Sequence, residues 1–274
     1  MDDRGKQLLS AALAGDENRV SELLSEVEDG TNVNYQNSDG WSPLHVAACK
    51  GHANIIRLLH QAGAELAPRT QFKLTPLHWA AYRGQQECVM LLLLLGAEID
   101  ILYPNKWTSL HWAAAKSKTD IVKLLLECGA ETELKDNKGQ TPKDVVDEYN
   151  AEIKLLFVKF RQQEQEGHEK KSQLLINAMD NEKWEVATIL AFNGASEDSN
   201  IFNNLLYSSL HTTRINVDCV FALMARLERN LSSIDKKFKM KLLSAAVQCK
   251  NSVAVETLSD EYRDRRSDRN YMQI

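Results

Sequence analysis

The chain has 274 residues, 43% hydrophobic and 26% charged, an ordinary globular balance with room for one elongated domain or two compact ones. Lys and Arg total 33 against 38 Asp and Glu, and a net charge of -5 disfavours general nucleic-acid binding, since phosphates need a positive surface. The acidic start Met1-Asp2-Asp3, an apolar run no longer than Val89–Leu95 and five dispersed cysteines lacking any Cys-x-x-Cys lead us to expect no signal peptide, no membrane span and a cytoplasmic setting.

In chain order, Leu8-Leu9-Ser10-Ala11-Ala12 opens a first helix pair, and from Gly30 onward the sequence repeats every 33 residues. Gly30, Gly63, Gly96 and Gly129 form one column, and Leu44, Leu77 and Leu110 another. His45, His78 and His111 keep the same register, as do Ala47-Ala48, Ala80-Ala81 and Ala113-Ala114, and Ile56, Val89 and Val122. Each unit predicts two short helices. The first is alanine-rich, where a neighbour must come close. The second is richer in Leu, Ile and Val, and is followed by a glycine suited to a left-handed helix cap. Neither helix pair can bury its apolar face alone, so the units must stack.

Ser42-Pro43-Leu44-His45, Thr75-Pro76-Leu77-His78 and Thr108-Ser109-Leu110-His111 resemble the Thr-Pro-Leu-His signature of ankyrin repeats. The resemblance is clear over 38–136, extends more loosely over 5–160, and includes a degraded fifth unit beginning Gly139-Gln140-Thr141-Pro142-Lys143-Asp144. It implies an all-α solenoid of helix pairs joined by short hairpin tips. It also implies that each histidine ties adjacent loops by hydrogen bonds. Lys73 and Lys106 depart from the pattern, replacing the turn glycine kept at Gly40 and Gly139, and the two tips are expected to be reshaped. Ser117-Lys118 replaces Gly51-His52, so the inter-helix turn of that unit is expected to be atypical.

We assign 1–160 to ankyrin repeats and 161–171 to a charged linker or exposed helix. Residues 172–274 read as about three degenerate ankyrin-like helix pairs with a charged tail, because Leu174, Val186 and Leu190 repeat the offsets of Leu8, Val20 and Leu24. A separate helical bundle is the rival reading of that region.

No phosphate loop, nucleophile elbow or His-Glu-x-x-His is present. The histidines are repeat architecture rather than metal ligands, and we expect neither metal nor cofactor. The functional signal is aromatic. Trp41, Leu74 and Trp107 form a column ahead of the signature, while Trp79 and Trp112 follow its histidine. Phe72 and Tyr103 fall in hairpin tips, and Tyr82-Arg83 ends a first helix. In the resembling family these positions line the concave face where partners dock, and aromatics with arginine are the residue types of interface hot spots. Tryptophans at such columns also pack between units, so Trp79 and Trp112 carry both readings.

The expectation is therefore a monomeric, non-enzymatic module that binds a protein partner, not nucleic acid or membrane. The alternative is an ankyrin recognition region fused to a small catalytic domain at 172–274. The charged tail Asp260–Arg269 with its apolar end resembles translocation signals of bacterial effectors, which implies action inside a host cell. A eukaryotic adaptor or a viral protein stays open beside it.

Overall fold

The computed structural model describes residues 3–25, 32–165, 174–175, 177–179, 181 and 183–190, and all regular structure among them is helical. Gly30 and most of 172–274, on which the further helix pairs, the charged tail and the catalytic alternative rest, lie outside the described residues.

Four units each supply an inner and an outer helix: α1 (Asp3–Ala14) with α2 (Glu17–Ser25), α3 (Pro43–Lys50) with α4 (Ala53–Gln61), α5 (Pro76–Arg83) with α6 (Gln86–Leu94), and α7 (Ser109–Ala115) with α8 (Thr119–Glu127). Inner helices pack in the row α1, α3, α5, α7, and outer helices in the row α2, α4, α6, α8. The alanine pairs of α3, α5 and α7 are fully buried, because any larger side chain would hold these backbones apart. Leu44, Leu77 and Leu110 are buried between them, each worth about 1.5–3 kcal/mol of apolar transfer.

The signature builds the start of each inner helix. Ser42 and Thr108 stand at extended N-cap positions and accept a hydrogen bond from the backbone N–H of His45 and His111. Proline begins α3 and α5, where its missing N–H costs nothing. The Ser42 N–H donates to His45 Nδ1 at 3.2 Å, which leaves Nε2 to carry the proton and donate to the Leu74 carbonyl at 3.0 Å. His111 repeats this between Thr108 and the Gln140 carbonyl, 3.1 and 3.3 Å away. Each histidine thus ties its helix to the finger that follows. His78 closes only half the tie: the Thr75 N–H donates to its Nδ1 at 3.3 Å, but buried Nε2 makes no hydrogen bond of good geometry to the Trp107 carbonyl.

The four fingers share one backbone design. Asn37, Thr70, Tyr103 and Asp136 donate to the carbonyl four residues on, and Gly40, Lys73, Lys106 and Gly139 donate back to them. Lys73 and Lys106 do not reshape their tips: they take φ of 63° and 65°, beside 76° and 78° at Gly40 and Gly139. The lysines accept the left-handed conformation because the two finger bonds and the neighbouring fingers fix the path. Gly40 is under a stricter demand, since a Cβ there would sit 2.9 Å from the Gln71 backbone nitrogen. Ser117 likewise follows the path of Gly84: its φ is 52°, and the next residue, Lys118, donates to Ala113 as Gln85 does to Ala80. That turn is atypical in composition only. Adjacent fingers are bridged where Gln71 N–H donates to the Asp39 carbonyl at 2.9 Å and Asn137 N–H to that of Asn105 at 3.0 Å.

The fifth unit keeps its finger but not its inner helix. After Thr141-Pro142 the chain makes turns, then forms α9 (Ala151–Gln165), which packs on α8 and runs four residues past Arg161. Asp144 occupies the histidine column and accepts from the Thr141 N–H and hydroxyl at 2.9 and 2.8 Å. It reproduces the capping half of the histidine's work, and among the described residues no further finger follows it.

α6 has apolar residues on every side, and Leu91 through Leu94 are all buried. A second cover explains this: α10 (Trp184–Leu190) lies against α6, with Lys183 Nζ 2.7 Å from Glu127 Oε1 at the end of α8. This part of the C-terminal segment packs on the outer row rather than beyond α9.

Candidate functional site

The sequence positions two kinds of side chain on the finger side of the stack. In α5 and α7 the residue after the buried histidine points away from the alanine seam, which leaves Trp79 and Trp112 only partly buried. The finger residues preceding each N-cap bring Trp41 and Trp107 over the same helices.

These rings touch in sequence across three units. The Trp41 and Trp79 centroids are 4.6 Å apart, Trp79 and Tyr82 5.8 Å, and Tyr82 and Trp112 5.5 Å. Trp112 then meets Trp107 at 4.7 Å and Tyr103 at 6.1 Å. Edge contacts of this kind add about 0.5–1.5 kcal/mol beyond their burial. Trp79 and Trp112 therefore stitch neighbouring units while keeping part of each indole at the surface. Trp107 is anchored by its Nε1, which donates to Asp136 Oδ2 at 2.9 Å and holds that carboxyl below its usual range. The Nε1 groups of Trp79 and Trp112 are covered and have no acceptor.

Of the nine expected residues, six form this ladder: Trp41, Trp79, Tyr82, Tyr103, Trp107 and Trp112. Arg83 joins it, its Cζ lying 5.6 Å from the Tyr82 ring centre. Phe72 stands apart on its fingertip, 64% exposed. Leu74 is the correction. It is buried, and its contribution is the carbonyl that accepts from His45. The finger must turn inward at this residue to reach the N-cap, which buries an aliphatic side chain. Missing from the expectation is Lys116, whose Nζ lies 5.2 Å from the same Tyr82 ring. Its signal was the absence of Asp and Glu from 66–86 and 101–119, which whole-chain charge conceals.

Burial pushes the His45 and His78 rings down to about 4 and lowers His111 in the same direction, so all three are neutral joints at pH 7. Burial pushes the Cys88 thiol up to about 12 and Cys128 further the same way, leaving them unreactive packing residues. Among the described residues no three His, Cys, Asp or Glu side chains gather to hold a metal, and no helix is long and apolar enough to cross a membrane.

A stretch of 73 residues is 34% identical to Serine/threonine-protein kinase 12 of Arabidopsis thaliana, covering 27% of this chain and 15% of that protein. The family pattern "Ankyrin repeats (3 copies)" matches residues 8–103 and 90–145, half the chain and the whole of the finger-bearing stack. With its signature capping boxes, finger ties and two helix rows, the chain belongs to the ankyrin-repeat family.

Proposed function

We propose that the finger side of units two to four binds a protein partner and that the chain itself carries no catalysis. One observation supports this above others: a continuous ladder of aromatic rings is left only partly buried, and Phe72 exposed on a separate fingertip, by a stack that buries its other apolar columns. Such aromatics, with arginine at their edge, give large contact area for little lost side-chain freedom. The likeness to a kinase covers a small part of that protein, and the 274 residues contain no His-Arg-Asp or Asp-Phe-Gly triplet. No nucleic acid or second copy is assigned to this face. The same reading gives the chain a cytoplasmic setting, with host cytoplasm as the alternative that the tail's likeness to translocation signals raises, and a reporter fusion scored for delivery would test that alternative.

The deciding experiment is selection from a displayed random dodecapeptide library on the intact chain. Winners should lose binding to a Phe72→Ala/Tyr103→Ala variant whose melting temperature is close to that of the parent. Winners indifferent to that variant would place the binding surface elsewhere.

A further inference from the structure

The inference concerns the chemistry of the partner and rests on the preceding reading. In a chain of net charge -5, residues 66–86 and 101–119, the finger and inner helix of units three and four, contain Arg69, Lys73, Arg83, Lys106, Lys116 and Lys118 and not one Asp or Glu. The acids of these units lie elsewhere: Glu87, Asp120 and Glu127 on the outer helices, and Glu98 and Asp100 in the turn that follows α6. Charge is thus segregated between the two sides.

Two of the cations meet the same aromatic ring. Arg83 Cζ and Lys116 Nζ come within 5.6 and 5.2 Å of one ring, that of Tyr82. Lys118 lies alongside, its stem 3.0 Å from where a Cβ on Gly84 would stand. Among the described residues neither Arg83 nor Lys116 has a carboxylate partner. Asp136, in the following finger, is engaged by Trp107 Nε1 and by the N–H groups of Lys138 and Gln140.

We infer that the partner offers an acidic extended peptide segment, with Glu or Asp carboxylates paired to Arg83 and Lys116 and an adjoining apolar side chain against Tyr103 and Trp112. Carboxylates there would pair cations that have no acidic partner among the described residues, and the rings beneath would exclude water and strengthen the pairing. The ladder suits a peptide better than single-stranded RNA. Base stacking needs a free aromatic face, whereas Trp41 is packed against Trp79 and Trp107 against Trp112.

The test uses the intact chain in parallel selections from the dodecapeptide library, on wild type and on Arg83→Gln/Lys116→Gln. Both side chains are exposed, so the variant should melt like the parent. Wild-type winners should be rich in Glu and Asp beside an apolar residue, and the variant should bind them about tenfold or more weakly. Added salt should weaken the wild-type complex. Three results would overturn the inference: winners without acidic bias, acidic winners that bind the variant equally well, or an oligouridylate bound more tightly than the best peptide. If unbiased winners still need Phe72 and Tyr103, the binding face stands and only its assigned chemistry is lost. If no winner needs either pair, the face itself is misassigned.

Discussion

Phe72 and Pro104 occupy the two positions at which neighbouring fingers are bridged elsewhere, yet no backbone bond can join them, because Pro104 has no N–H. Asp39 with Gln71 and Asn105 with Asn137 make that bond at the same offset on either side. The junction is the one whose histidine tie is also half-open, at His78. The central pair of fingers, which carries Phe72 and Tyr103, is therefore the least cross-linked of the three. Pro104→Ala should leave the melting temperature almost unchanged, since a net hydrogen bond of about 0.5–1.5 kcal/mol offsets the lost proline rigidity. Amide hydrogen exchange at 71–74 and 103–107 should nevertheless slow, and unchanged exchange would show that the bridge does not form.

Lys73 and Lys106 should be improvable positions. Each holds a left-handed backbone that costs a Cβ-bearing residue about 1–2 kcal/mol, part of which glycine returns as chain entropy. Lys73→Gly or Lys106→Gly should therefore raise stability by a few tenths to about 1 kcal/mol in urea unfolding. The same changes remove charge from the finger face, so peptide binding should weaken while stability rises.

Acid should loosen the stack in a defined window. The His45 and His78 rings are held near 4 in the folded chain, against 6.5 for a free imidazole. The unfolded chain therefore takes up the proton first. The stability these neutral rings contribute is complete above pH 6.5, falls as pH drops from there toward 4, and changes no further below. The slope should approach roughly 1.4 kcal/mol per pH unit for each ring. Urea midpoints at pH 7, 5.5 and 4.5 would show it, and His78→Gln should flatten the curve relative to its own value at pH 7. A curve that stays level down to pH 4.5 would mean the rings are not protected from protonation.

Removing the C-terminal segment should harm the centre of the stack. A chain ending at Gln165 exposes the side of α6 that α10 covers, and Leu91 to Leu94 are all buried in the intact protein. It should melt lower, bind a hydrophobic dye and aggregate. Equal melting of the shortened and intact chains would show that α10 contributes nothing to α6.

Core truncation offers a reference scale. Leu77→Ala removes a buried side chain from the alanine seam between α3 and α7 and should cost about 2–5 kcal/mol. Phe72→Ala, at a 64% exposed tip, should cost almost nothing in stability.

The residues of the repeat were legible because each column makes the same contact in every unit. Leu77 is buried for the reason Leu44 is, and one reading serves all. What the repeat could not disclose lies in contacts made once. α10 on α6 joins segments about a hundred residues apart, and only the all-round apolar character of Val89–Leu95 hinted at a cover. Leu74 shares a column with two tryptophans, but its smaller side chain is buried where theirs are only partly covered. Lys116 follows Ala115 at a helix end with no aromatic beside it in sequence. Its contact with Tyr82 crosses to the preceding unit.

Asp144 has a consequence for how long such an array can be. A histidine in that column is a two-ended connector, gripping its own N-cap with one nitrogen and the next finger with the other. A carboxylate can only accept, so it grips the Thr141 end and offers nothing to donate to a carbonyl beyond. The residue therefore works as a chain terminator written in the repeat's own register. Lengthening the stack by inserting another unit after residue 136 would leave this terminator undisturbed, whereas appending one after α9 would require Asp144 to become histidine first.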